Sequence, residues 1–129
     1  VYFGDWKIQE CLGTAENGPM EPEMIEKTIG AFLTYGAYSI WFERKDFGGG
    51  AGEPVYEERE ITPEDFAQTY GVTLEDLGLE SGTYLHVQME VWSSEPFFED
   101  LGGRFLVLNE EEMLICSKGA FFLAKKDLT

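Results

Sequence analysis

The chain has few of the residues from which reactive sites are usually built. Its 129 residues include one histidine, His86, and two cysteines, Cys11 and Cys116. A lone histidine argues against a transition-metal site, which usually draws on several His and Cys ligands. No serine or cysteine sits in a recognisable nucleophile turn, so a His-activated nucleophile has no support. Acids are plentiful, but no loop shows the Asp-x-Asp-x-Asp-Gly spacing of a calcium site. Two thiols do not define a redox compartment. No apolar run approaches the roughly 20 residues needed to cross a bilayer as a helix. Positive charge is also scarce, with 9 Lys+Arg against 25 Asp+Glu and a net charge of −16. Nucleic acid and anionic membrane surfaces would be repelled at long range. The acidic surface serves either to keep the protein soluble or to receive a basic protein partner.

Aromatics are abundant, at 15% of residues, with ten Phe, six Tyr and three Trp. They fit strands better than helices. The length suits one domain, residues 1–129, large enough to bury a core without metal or disulfide. No internal repeat of solenoid type appears.

Tyr2 to Cys11 reads as a half-buried strand, with Trp6 and Ile8 on one face and Asp5, Lys7 and Gln9 on the other. Gly13 to Pro19 is a loop by its turn residues. Pro22 to Ile29 reads as a short helix, with Pro22 in its first turn and Gly30 as its stop. Ala31–Tyr35 and Tyr38–Glu43 are strands joined at Gly36-Ala37. The glycine-rich stretch Asp46 to Glu53 lacks a following Lys-Ser/Thr and a helix to open. It reads as a flexible hairpin loop, not a phosphate cradle. Pro54 to Ile61 has no clean apolar face, which marks either a charged edge strand or one lining a wet interior. Thr62 and Pro63 begin a helix that carries Phe66 and Tyr70 and stops at Gly71, and Thr73 to Gly78 forms a second helical turn. Both are expected as struts or a lid across one mouth. Tyr84 to Trp92 alternates cleanly, Ser93 to Gly103 is a loop with Phe97-Phe98, and three more strands end the chain as an antiparallel meander.

These are about eight short strands, the number at which a closed barrel can be filled by its own side chains or hold one small ligand. The expected fold is therefore all-β with short helices, an antiparallel up-and-down β-barrel. Its first strand should pair with the last, Gly119 to Lys126.

The Gly4-x-Trp6 of the first strand, the early helix, the meander and a basic residue on the last strand resemble the calycin superfamily, which includes the lipocalins. More narrowly, they resemble small exported lipocalin-like domains of Gram-positive bacteria. Asp5 to Ile8, the Gly30–Phe42 hairpin, Pro54 to Tyr56, Ile61 to Phe66, Leu77-Gly78 and Met113 to Lys125 carry this likeness. The Thr-Asp-Tyr motif of lipocalins is absent, and lysine stands where the family has arginine. The resemblance implies that Trp6 plugs the barrel base under Lys125 or Lys126, a favourable cation–π arrangement. It also implies an extracellular or surface-attached protein whose upstream signal segment has been removed.

Within such a barrel, Cys11 and Cys116 lie two strand spacings apart, about 9–10 Å, beyond the usual reach of a disulfide. Two unpaired thiols are favoured. Trp6, Ile8, Ile40, Phe42, Tyr56, Phe105 and Phe122 are the candidate ligand-binding residues. Arg59 joins them if its strand turns charge inward. These side chains either fill a dry core or line a small pocket. The expected function is binding, not catalysis, with no cofactor or metal. The ligand is a small apolar or amphipathic molecule in the barrel. The alternative is a protein-interaction or inhibitor domain that uses its acidic rim or the Phe97-Phe98 loop to hold a basic protein.

Overall fold

The structure is a computed structural model that describes residues 2–15, 21–44, 47–90, 103–117 and 119–127. Nine strands form one antiparallel sheet: β1 (Gly4–Thr14), β2 (Phe32–Tyr35), β3 (Ser39–Arg44), β4 (Phe47–Gly52), β5 (Val55–Ile61), β6 (Tyr84–Glu90), β7 (Arg104–Val107), β8 (Glu112–Ser117) and β9 (Ala120–Lys126). Helix α1 (Pro22–Thr28) follows β1. Helix α2 (Pro63–Tyr70) and a 3-10 turn (Glu75–Leu77) lie between β5 and β6. The lateral order is β4-β3-β2-β1-β9-β8-β7-β6-β5. The first strand therefore pairs with the last, as the sequence predicts, and the all-β barrel-like fold is the one adopted. The sheet curls into a half-barrel. The lateral order puts its opening between β4 and β5, where a closed barrel would continue the ladder.

The ninth strand comes from the glycine stretch expected to be a loop. β4 pairs with β3 in the register Trp41↔Gly50, Phe42↔Gly49 and Glu43↔Gly48. At Gly50 glycine is required by the neighbour, whereas Gly48 is only in ordinary contact with it. A Cβ at Gly50 would lie 2.7 Å from the Trp41 ring, and one at Gly48 would lie 3.5 Å from it. The indole thus lies over a strand without side chains, and glycine here marks close approach as it often does within sheets.

The sheet has a core on each face. On the concave side Trp6, Ile8, Leu33, Tyr35, Ile40, Phe42, Val87, Phe105, Ile115 and Phe122 form one buried cluster. On the convex side Leu106, Leu114, Cys116 and Phe121 pack with Ile61, Phe66, Leu74 and Leu77. The helical segments therefore cover the outer face of β7 to β9 and do not lid a mouth. The reason is local: these strands are apolar on both faces, so their outer face needs a cover. Neighbouring residues divide between the two cores, Phe122 inward and Phe121 outward. The helix ends follow the sequence signals. Thr62 Oγ1 accepts the Asp65 amide at 3.2 Å, Pro63 opens α2, and Gly71 closes it in the left-handed region at φ 77°.

Trp6 is fully buried, and its Nε1 donates to the Tyr2 carbonyl at 2.8 Å. Lys126 lies opposite it in the ladder, with Nζ 5.8 Å from the ring centroid. Gly4 has φ 133°, and a Cβ there would meet the Lys126 stem at 3.4 Å. The Gly-x-Trp spacing thus supplies a backbone turn only glycine adopts easily and room for the lysine to reach the indole.

Both cysteines are free. Register places Cys11 opposite Phe122 and Cys116 opposite Phe121. They belong to opposite faces of the sheet, which separates them more firmly than strand spacing alone.

Trp6→Ala should lower unfolding free energy by about 3–5 kcal/mol in urea titration. Lys126→Ala, which removes only the cation–π contact, should cost about 0.5–1 kcal/mol. Equal losses would refute the assignment of Trp6 as the plug.

Candidate functional site

The residues expected to line an interior site are brought together. Trp6, Ile8, Phe42, Phe105 and Phe122 have no exposed surface, and Ile40 is 3% exposed. A side chain with no accessible surface borders no water-sized space, so the first five make a packed core with Ile40 at its margin. Tyr56 packs against them from β5. Its ring lies 5.4 Å from Tyr2, 5.2 Å from Phe3 and 6.5 Å from Tyr35, and its hydroxyl donates to the Gly36 carbonyl at 2.7 Å. Tyr56 thus ties edge strand β5 to the β2–β3 turn across the opening. Burial pushes its hydroxyl pKa up to about 12.

Arg59 is not in that interior. It is exposed on β5 and pairs across the ladder with His86 of β6. Directly opposed residues share a face, as do residues two apart. Arg59, Glu57, His86, Gln88 and Arg104 therefore all lie on the convex side, with Gln88 opposite both Glu57 and Arg104. Glu57, Glu58, Arg59, His86 and Gln88 line a shallow depression of about 120 Å³ there. Sequence reasoning placed His86 on the polar face of its strand but did not find its neighbours. They come from three strands and a helix, and the register that assembles them has no local signal.

His86 is buried, 4% exposed, and its Nε2 lies 2.5 Å from the Tyr70 hydroxyl of α2. Tyr70 also lies close enough to the Cys116 thiol to interact with it electrostatically. Burial, then the Arg59 and Arg104 charges, lower the imidazole pKa to about 4, so the ring is neutral at physiological pH. Burial pushes the Cys116 thiol up to about 12, against the opposing pull of Tyr70 and Arg104. The thiol belongs to the convex core, the setting of a packing cysteine. Arg59, Arg104 and Glu57 thus put charges of both signs on one face of a chain of net charge −16. No group of three His, Cys, Asp or Glu side chains suited to a metal ion occurs among the described residues. The Phe97-Phe98 loop lies outside the described residues. No helix among them is long and apolar enough to cross a membrane.

Compared with known proteins, the chain matches no family model, no curated protein and no solved structure.

The depressed histidine fixes a pH dependence. The folded ring stays neutral down to about pH 4, whereas the unfolded ring takes a proton below its ordinary value of 6.5. Between those values the unfolded state binds more protons. The stabilisation is therefore complete above pH 6.5 and declines as pH falls to about 4, by at most about 3 kcal/mol. Urea titrations of wild type and His86→Gln across this range should differ in slope by that contribution. Parallel curves would show that His86 titrates normally.

Proposed function

We propose that this is a binding domain that takes a basic, extended segment of a partner protein along the free edge of β5. The observation that carries this reading is the edge itself. β5 pairs with β6 on one side and has no ladder partner on the other among the described residues. Val55, Glu57, Glu58, Arg59 and Glu60 along it are exposed. Unpaired N–H and C=O groups on an edge are a template for an added strand. Glu58 and Glu60 lie on the concave side at the opening and Glu57 on the convex side, so a strand laid there meets carboxylates on both of its faces. Like charge keeps a second copy of this acidic chain away, while a lysine- or arginine-rich segment is attracted. The packing of Trp6, Phe42, Phe105 and Phe122 favours a surface role over an apolar ligand held within the sheet. Kinship with the calycins remains part of the proposal, supported by Gly4, Trp6 and Lys126 in the arrangement that family uses at its barrel base.

The test is NMR titration with an extended peptide alternating lysine and valine. Amide shifts should concentrate on Val55–Ile61 at low ionic strength and weaken steeply toward 1 M salt, where the screening length falls to about 3 Å. Glu58→Lys with Glu60→Lys should weaken binding at least tenfold. Shifts elsewhere, or binding indifferent to the double substitution, would leave the acidic edge as protection against aggregation and refute the proposal.

A further inference from the structure

From the convex-face cluster we infer a second binding site, which shares Glu57 with the β5 edge but does not rest on that reading, for a small zwitterion that joins an oxyanion to an ammonium group. The first ground is unspent charge. Arg59 and Arg104 make no ion pair among the described residues, although the chain has 25 acids. Arg59 stands two residues from Glu57 on the same face and does not pair with it. Opposite charges held side by side without pairing suit a ligand that carries both.

The second ground is placement. Arg59 and Arg104 flank β6 from either side on a diagonal, Arg59 opposite His86 and Arg104 opposite Gln88, about 12 Å apart by strand spacing and rise, and both are long enough to lean over it. Between them lie Gln88 and the neutral ring of His86, which supply hydrogen-bonding groups without adding charge. Glu57 stands opposite Gln88 at the same depression. An oxyanion seated between the guanidiniums gains charge-assisted, bidentate bonds. An ammonium a few ångströms away then meets Glu57. A simple anion would instead face that carboxylate, and a simple cation would face two arginines.

The third ground is rigidity. His86 is buried and bonded to Tyr70, which α2 and Phe121 hold in place with ring centroids 5.7 Å apart. The floor is set by the convex core and does not have to be organised by the ligand. The depression, about 120 Å³, suits a headgroup-sized solute. The ligand is inferred to be free in solution.

Calorimetry and chemical-shift titration of the full chain should use O-phosphoethanolamine, inorganic phosphate and ethanolamine. The zwitterion should bind at least tenfold more tightly than either fragment and should shift the His86 ring resonances. Arg59→Gln and Arg104→Gln, both exposed, should each weaken it at least fivefold without changing the circular dichroism. Glu57→Gln should remove its advantage over phosphate. Phosphate binding as well as the zwitterion, or affinity unaffected by both arginine substitutions, would overturn the assignment. Neutral vesicles of phosphatidylethanolamine and phosphatidylcholine should not sediment the protein. Arg59-dependent sedimentation would overturn the assignment to a free solute.

Discussion

The structure depends on the pairing of its first strand with its last. β1 runs eleven residues and is shared: Gly4 to Lys7 pair with β2, while Trp6 to Thr14 pair with β9. Without that seam the sheet would fall into two short meanders, β1 to β4 and β5 to β9, each with its apolar face uncovered. With it, Trp6 sits where the halves meet, and Phe42 from one half and Phe105 from the other enter one concave core. Contacts this distant in sequence are closed against a large entropy of chain ordering, so they must bury much apolar surface at once. The two register shifts in β1, after Ile8 and after Cys11, lie along this seam. Bulges bend and twist a strand, and the sheet curls around them.

The halves differ in how they are finished. From β7 to β9 the strands are buried on both sides, and α2 with its following turn supplies the outer layer. From β1 to β4 the outer face has no such layer among the described residues. Trp41 lies there flat on Gly48 and Gly50, half exposed. The polar cluster around His86 falls at the boundary, where the convex core gives way to an uncovered edge. A site needs that position: close enough to packed residues to be rigid, close enough to solvent to be reached.

Alternation and turn chemistry made much of this legible. Leu85, Val87 and Met89 turn inward as a period of two requires, and Thr62-Pro63 begins a helix as capping chemistry requires. Gly4, Trp6 and a C-terminal lysine foretold the pairing of the chain ends. The failures have physical causes. The glycines of β4 look like a loop because what makes them a strand is the ring of Trp41 from the neighbouring strand. The helices read as a lid because the continuous runs Phe105-Leu106 and Met113 to Cys116 mark strands but do not announce the outer cover that strands apolar on both faces need. Arg59 illustrates the limit for sites. On a strand charged along most of its length, sequence alone does not say which side is inside, and only pairing with His86 decides it.

An open sheet also changes the meaning of the packed interior. In a closed barrel that holds no ligand, the strands leave little surface for recognition. In a half-barrel the unsealed margin is left as an edge, and Tyr56 bonds the Gly36 carbonyl across it. Residue-resolved amide hydrogen exchange tests this account most directly. The seam strands β1 and β9 should exchange only through global unfolding, while the outward amides of β4 and β5 exchange many orders of magnitude faster. Amides of β4 and β5 as protected as those of the seam would mean that the two strands are paired and the barrel is closed, contradicting the account.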